Sequence, residues 1–522
     1  MGIDLGTTNT KVALVAVDEA GVRVRALASA PTPEPRAVKP VLLALLRQVL
    51  RASPAPDAVG VASMAETGVP LDSSGEPLGP WLRWDKHPAG AEADVLSGQL
   101  GWTHLVAATG VRPSAKVPLA TWMWLRANRP DQWAEMAAWA GAADLVCLLL
   151  TGRLCTDHTL AGRTMAYRLP GPGAPVPDAF DADLLAEVGL RPEQLPAVVP
   201  PDEVAAPVRD PDIVACGLRA GTPVVVAGHD HPVGAYACGV REPGDVADSL
   251  GTAEAVLSLV AGTPDPIEVA RAGMSSVVPV SGQHRAILAG SSSAGATIGW
   301  WLEHESGGAT AAELFGLVLA SGDRPSDVIV LPYLSGRQAP VPDPGARLRV
   351  LGRHPAHTPA DLARAMLEGL CLQTRWMLAE QARLAGRTAP TTVTLFGGAV
   401  GANPAWVRVK AHVLRDELRV VPAEEPVAAG AALVAAARTH RIGPVVPALG
   451  WRPGPTVAGA GTDFDQPFAR FVAAATRTDS GTAATGSDAG STTATGSDAG
   501  TAAGGRDAGT AAASDRTGGE VT

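Results

Sequence analysis

Residues 2–18 read Gly2-Ile-Asp-Leu-Gly-Thr-Thr-Asn-Thr-Lys11-Val-Ala-Leu-Val-Ala-Val-Asp18. Two apolar runs flank a short polar turn, the pattern of a hairpin. Asp4, Gly6, Thr7, Thr8, Asn9 and Lys11 crowd into that turn. Gly6 at the bend lets backbone N–H groups and hydroxyls come close to phosphate oxygens. Asp4 suits a magnesium ion held through water, because Mg²⁺ takes few carboxylates and keeps much of its hydration. Lys11 adds a point charge. The stretch points to a nucleotide and leaves its use open.

Working outward, 522 residues suggest two domains or more, and a hydrophobic fraction of 46% supplies sizeable cores. A net charge of −10 argues against a nucleic-acid partner, which would want a basic face. The five cysteines form no Cys-x-x-Cys pair, which favours reduced thiols over disulfides or zinc. No basic segment precedes Asp4, and no apolar run is long enough to span a bilayer. The expectation is a cytoplasmic protein with no membrane partner.

The hydrophobic period predicts a helix over 38–52, a strand over 59–63, helices over 118–128 and 132–151, and an irregular segment over 169–212. A strand at 224–227 runs into Gly228-His-Asp-His231, and a helix is expected from Pro232. At 246–259 the strand–Gly/Thr turn–strand pattern of 2–15 recurs, a rough internal repeat. Further helices are expected over 359–385, 404–418 and 427–440, with a strand at 393–396. Alternating strands and helices imply an α/β architecture. From about residue 478 the chain is Ala, Gly, Ser, Thr and Asp, with Ala-Thr-Gly-Ser-Asp-Ala-Gly at 484–490 and again at 494–500. Such a tail buries too little apolar surface to offset its ordering entropy and is predicted to be disordered.

Five segments in order carry a family resemblance. They are Asp4-Leu-Gly-Thr-Thr-Asn-Thr-Lys11, Gly221 to Ala235 around Gly-His-Asp-His, Asp248-Ser-Leu-Gly-Thr-Ala-Glu254, Leu331 to Arg337 with Pro340 and Asp343, and Phe396-Gly-Gly-Ala-Val-Gly-Ala-Asn-Pro-Ala-Trp406. Together, over residues 2 to about 440, the chain resembles the FGGY carbohydrate kinases of the actin-like ATPase superfamily. The resemblance implies two actin-like (ribonuclease H-like) domains, 1–241 and 242–445, with an ATP cleft between them, followed by an extension over 446–477 and the tail. ATP and Mg²⁺ are the implied cofactors. A homodimer follows only by analogy.

In that frame Asp230 is the candidate base, because phosphoryl transfer needs a carboxylate that accepts the hydroxyl proton. A plain cap of the following helix is the alternative. One of the flanking histidines is expected to face the cleft and the other to pack. Gly6, Thr7, Thr8, Asn9 and Lys11 are expected at the phosphates from one side, and Gly251 and Thr252 from the other. Gly397, Gly398 and Ala399 are expected under adenosine with Asn403 nearby, and Gly295 at a further nucleotide-side helix start. Asp4 is assigned to the metal. A hairpin turn and a capped helix start are the bland readings of Gly251 and Asn403.

The acceptor end departs from the family. Glycerol kinases carry Arg-Glu where this chain has Ala65-Glu66, and xylulose kinases carry Met-His. Trp84-Asp85 stands where relatives place Trp-x-Asp-x-Arg, and Leu334 to Gln338 lacks the usual Gly-Glu-Arg. Met64, Glu66, Trp84 and Asp85, with Asp230, are the acceptor-binding candidates. Core packing is the other reading of Trp84. The expected activity is ATP-dependent phosphorylation of a hydroxyl on a small sugar, a ketose (pentulose or hexulose) first and a polyol or aldonate second. An Hsp70- or actin-like ATPase would want a peptide-binding region that the tail does not supply. A sugar sensor without catalysis would not need Asp4, Asp230, Gly251 and Thr252 all in place.

Overall fold

The computed structural model describes residues 1–477 apart from 19–20, 52, 87–88, 389–390, 423–424, 444 and 456–462. The tail expected to be disordered, 478–522, lies outside the described residues. The first half begins with an antiparallel meander, β1 (Gly2–Leu5), β2 (Asn9–Asp18) and β3 (Gly21–Pro31). Helix α1 (Val38–Leu50) turns its Leu and Val stripe onto that sheet, burying Val38, Leu42, Leu45, Leu46 and Val49. Strand β4 (Val59–Ser63) then pairs parallel to β1, as crossover connections require. Helix α2 (Ala142–Thr151), the short edge strand β5 (Ala206–Pro207) and β6 (Pro223–His229) complete this layer. The sheet order is β3-β2-β1-β4-β6-β5. Helix α3 (Asp230–Ala237) leaves directly from the end of β6.

The second half repeats the plan. Its antiparallel strands are β7 (Val246–Leu250), β8 (Glu254–Val260), β9 (Ser275–Val277) and β10 (Arg285–Ser291). Helix α4 (Gly295–His304) follows, then the long α5 (Pro359–Leu384), whose Thr358–Asp361 capping box fixes its start. Strand β11 (Thr392–Phe396) pairs parallel to β7. After α6 (Pro404–Val413) come β12 (Glu417–Val420), α7 (Pro426–Arg438) and the edge strand β13 (Arg452–Pro453). The order β9-β10-β8-β7-β11-β12-β13 contains the same core sequence of three antiparallel and two parallel strands as the first sheet. The internal repeat legible at 2–15 and 246–259 is therefore a repeat of whole sheets. The chain forms the expected pair of actin-like α/β domains.

Helix α7 lies against β1, β4 and β6 of the first sheet although it belongs to the second half of the chain. Gly2 and Gly60 permit this approach, because a Cβ there would stand 1.7 Å from the Ala428 carbonyl oxygen and 1.8 Å from that of Ala431. Among the described residues no helix is long and apolar enough to cross a membrane.

Several segments differ from their sequence expectation. Residues 132–151 are not one helix, because Ala138–Gly141 forms a strand against Gly68–Leu71 and tertiary pairing overrides the local period. The Pro-rich segment 169–212 contains a capped helix, Ala182–Val188, and the strand Ala197–Val199. Helix α6 stops at Val413, and Glu417–Val420 becomes β12 beside β11. Helix α3 begins at Asp230 rather than Pro232.

Candidate active site

Two hairpins and one helix start build the site. In the first hairpin Asp4 stands opposite Lys11, and the Gly6 N–H donates to the Asn9 carbonyl at 3.1 Å, closing the turn. Thr32 fastens it from β3's end, its Oγ1 donating to the Gly6 carbonyl at 2.7 Å. Lys11 pairs with Glu425, the residue preceding α7. The Asp4 carboxyl is 5% exposed, and its Oδ1 has no hydrogen-bond partner among the described residues. Burial pushes its pKa up to about 8, with Asp230 adding, Lys11 opposing and Glu425 adding. A buried carboxylate in that position gains from a cation. Among the described residues no three His, Cys, Asp or Glu side chains form a metal cage. One carboxylate with room for water fits Mg²⁺ in that setting, and fits poorly a metal that wants an all-protein shell.

Asp230 sits where β6 ends. The register of β6 against β4 slips between Val226 and Gly228, a bulge that re-aims the strand end. Gly228 is required at that slip, with φ +124° and a would-be Cβ 2.2 Å from Thr159 Oγ1. Thr159 then holds the loop from two sides. Its Oγ1 donates to Asp157 Oδ1 at 2.8 Å and accepts the His229 N–H at 2.8 Å. The Asp230 carboxylate accepts the His231 N–H through Oδ1 at 2.7 Å. His229 Nε2 lies 3.2 Å and His231 Nε2 4.0 Å from the same oxygen. Burial holds His229 well below its ordinary pKa, with His231, Arg163 and Lys116 adding, so it is neutral near pH 7. The two histidines do not point to opposite faces as an extended segment would direct. The chain turns helical at Asp230, which brings the rings to 5.7 Å, edge to face. His229 is buried, while His231 reaches across to Ser249 Oγ with Nδ1 at 3.3 Å.

The second hairpin is braced from beneath. The Gly251 N–H donates to the Ala253 carbonyl at 3.0 Å, and Gly295 and Ala296 at the start of α4 donate to the carbonyls of Gly251 and Thr252 at 3.1 and 3.0 Å. A Cβ on Gly295 would lie 2.5 Å from the Gly251 oxygen, and one on Gly397 2.3 Å from that of Leu250. Gly295 and Gly397 are thus brought against the hairpin itself, whereas a Cβ on Gly398 would meet open space. Asn403 is buried and its Oδ1 accepts the Trp406 N–H at 3.0 Å, capping α6.

On the acceptor side Met64 and Glu66 line one pocket together with Asp144 and Trp139. Trp84 and Asp85 are engaged elsewhere. Trp84 Nε1 donates to Thr7 Oγ1 at 3.0 Å, and Asp85 takes both Nε and Nη2 of Arg83 at 2.8 and 2.9 Å. Arg83 in turn donates Nη1 to the Thr7 carbonyl at 3.4 Å, so both side chains connect to the first hairpin. Residues 87–88 lie outside the described residues.

Sequence reasoning missed four residues. Arg163 donates Nη2 to Glu66 Oε1 at 2.5 Å, and Lys116 Nζ lies 3.8 Å from Glu66 Oε2. Glu425 holds Lys11. Lys410 on α6 is fully buried and bonds Asp248 at 2.5 Å and Glu254 at 2.6 Å, while Thr374 donates to Glu254 at 2.7 Å. Burial opposes the charge on Lys410, and the carboxylates of Asp248 and Glu254 outweigh it, so its pKa is raised. A signal existed. The chain holds only five lysines, and Lys11, Lys116 and Lys410 are three of them.

Comparison with known proteins agrees with this arrangement. The model for the FGGY family of carbohydrate kinases, N-terminal domain, matches residues 1–237, and that for the C-terminal domain matches 246–439. A xylulose kinase from Streptomyces rubiginosus is 34% identical over 277 residues, 51% of this chain and 55% of that one. A second, from Streptomyces coelicolor, is 29% identical over 84% of this chain and 87% of its own. The crystal structure of gluconate kinase from Lactobacillus acidophilus superposes with a TM-score of 0.79 at 18% identity, over 91% of this chain and 96% of that one. With both halves matched in order and the duplicated sheets in place, the chain belongs to the FGGY family of carbohydrate kinases.

Proposed function

We propose that the protein transfers the γ-phosphoryl group of ATP to a hydroxyl of a small polyhydroxylated acceptor, with Asp230 as general base. The observation that supports this most is the convergence on one carboxylate. Across β4, Asp4 is in register with Ala62 and Ala62 with Gly228, two residues before Asp230, and the neighbouring His231 touches Ser249 beside the Gly251 turn. Both hairpins thus come together at Asp230. Oδ1 is fixed by the His231 N–H, which leaves Oδ2 to accept the hydroxyl proton.

Gly6 to Asn9 with Lys11 on one side, and Gly251 with Thr252 on the other, would hold the phosphates through backbone N–H groups, hydroxyls and one ammonium. Asp4 would hold Mg²⁺, which when bound shields the phosphate charge from the incoming hydroxyl. Gly397, Gly398 and Ala399 would floor the adenosine, with open space at Gly398 leaving room for it. In this reading Asn403 acts through its cap of α6. Neutral His229 orients Asp230 without adding positive charge that would weaken the base.

The names of the relatives span ketose and aldonate kinases. Replacement of Asp230 by Asn tests the base. Turnover should fall by roughly 10²–10⁴-fold, the span of general-base contributions. ATP affinity, followed by calorimetry, should hold. Unchanged turnover would remove Asp230 from the mechanism.

A further inference from the structure

Beside Asp230, on the acceptor side, buried polar groups are left without partners. Arg163 is 6% exposed and engages Glu66 through Nη2 alone, and its Nε and Nη1 have no partner among the described residues. Ser276, contributed by β9 of the second half, is equally buried, and its Oγ has none either. Both line the pocket that His229 also lines, one residue from the base. The other charged or titratable walls are His158, Arg168 and Tyr167; among the described residues no carboxylate lines the pocket, and the buried Asp157 stands behind His158 at 3.5 Å. Arg168 is neutralised by Asp181. Arg163 pairs with Glu66.

Glu66 is shared. It faces Arg163 at 2.5 Å and Lys116 at 3.8 Å. Arg112, partly buried, makes no ion pair with a described residue and still reaches Lys116 electrostatically. Glu66 supports the charge on Lys116, yet burial, Arg163 and Arg112 together outweigh it and lower the lysine's pKa. A guanidinium cannot shed its proton to relieve such crowding. A buried cation with unpaired N–H groups is costly until an acceptor arrives, and an anionic acceptor gives the stronger, charge-assisted bonds. A neutral hydroxyl would satisfy an N–H group and leave the charge excess untouched.

Resting on the kinase reading above, we propose that the pocket between Arg163 and Ser276 receives a carboxylate carried by the acceptor. The substrate class is then a polyhydroxy acid of the aldonate type, not the neutral ketose expected first from the sequence. The acid end is bound by Arg163, with Lys116 and Arg112 supplying long-range attraction, while a hydroxyl further along the same molecule meets Asp230.

The test measures ADP release with Mg-ATP for length-matched sets: five- and six-carbon aldonates, the corresponding ketoses and the corresponding polyols. An aldonate should exceed its neutral counterparts in kcat/KM by about tenfold or more, since a site built for a polar group rejects the analogue lacking it. Arg163→Met should raise KM for the acid by about that factor with a smaller change in kcat, and Arg163→Lys should restore part of it. Arg163→Met leaves Glu66 with one cation fewer and risks folding, so Ser276→Ala is the second variant, expected to raise KM several-fold at unchanged thermal stability. A ketose or polyol that matches or beats every acid overturns the carboxylate and leaves the kinase standing. Silence across all three sets, with ATP still bound, overturns the kinase reading and this inference with it. Thermal stabilisation by inorganic phosphate that is lost in Arg163→Met yet persists in the wild type at saturating acceptor marks a separate anion site at Arg163 and overturns the assignment to the acceptor.

Discussion

The hairpins at Gly6 and Gly251 occupy equivalent places in the two repeated sheets, yet their acidic residues face opposite ways. In the first, Asp4 precedes the turn glycine Gly6 by two residues. In the second, Asp248 precedes Gly251 by three. Side chains alternate along a strand, so a one-residue offset reverses the face. Asp4 faces Asp230, Lys11 and Glu425, and no buried lysine bonds it as Lys410 bonds Asp248. Asp248 faces inward to Lys410 and Glu254, and Ser249 takes the place equivalent to Asp4 and meets His231. In the proposed mechanism one hairpin therefore keeps a carboxylate for the metal, while the other is locked to α6. The two frames are alike, and a single-residue phase shift separates a carboxylate proposed for binding from one that braces.

The sharpest way to break this contrast is at Lys410. Burial pushes the Asp248 carboxyl up to about 8 even with Lys410 opposing, and Glu254 adds to the push. Lys410→Met leaves two buried carboxyls without their cation. Breaking a buried pair by removing one partner costs about 3–5 kcal/mol, read as a lower midpoint in urea unfolding. The combined Asp248→Asn, Glu254→Gln, Lys410→Met protein should recover most of that loss. A single Lys410→Met substitution that unfolds at the wild-type midpoint would show that the cluster braces nothing.

Asp4 should respond in the other direction. Its folded pKa of about 8 stands above the unfolded carboxyl value of about 3.9. The folded state then binds the extra proton, so its stabilising effect is complete below about pH 4 and is lost as pH rises toward 8. In the absence of nucleotide and metal, thermal melts of the wild type should fall across that window relative to Asp4→Asn, with the gap widest near pH 8. Millimolar Mg²⁺ should close the gap for the wild type and leave Asp4→Asn unmoved. Parallel melting curves for the two proteins from pH 4 to 8 would place Asp4 in an ordinary solvated setting.

How much of this was legible follows from what kind of signal each residue sends. The hairpins, the parallel strands and the long α5 announced themselves through local period and Gly turns, which are properties of neighbouring residues. The repeat was visible as well, because Gly-Thr follows an apolar strand twice. Glu66 was assigned to the acceptor through the family resemblance, but its partners were not legible. Arg163 lies 97 residues away and Lys116 stands on a different loop. Trp84 was assigned by motif to the acceptor, and its hydrogen bond to Thr7 depends on a loop path that no local pattern encodes. The strand at Ala138–Gly141 failed for the same reason, since its pairing partner lies at Gly68–Leu71. Lys410 differs from these. A lone lysine among Val407, Val409 and Ala411, in a chain poor in lysine, marks a buried cation, and the acids flanking Gly251 are its natural partners. That inference needed only charge bookkeeping along the sequence.

The smallest expected effect completes the comparison. Lys11 is the cation of the first hairpin as Lys410 is of the second, but its pair with Glu425 is about a quarter exposed on both sides. Ion pairs in contact with water contribute about 0–1 kcal/mol, because solvent already stabilises each partner. Lys11→Met should therefore shift the urea midpoint little, and less still at high salt, where screening removes what remains. Its cost should appear instead in the KM for ATP, since an ammonium beside the phosphates acts only when they are present. A stability loss comparable to that of Lys410→Met, with KM unchanged, would mean that Lys11 also braces its hairpin. The two frames would then differ in burial alone and not in what their charges are for.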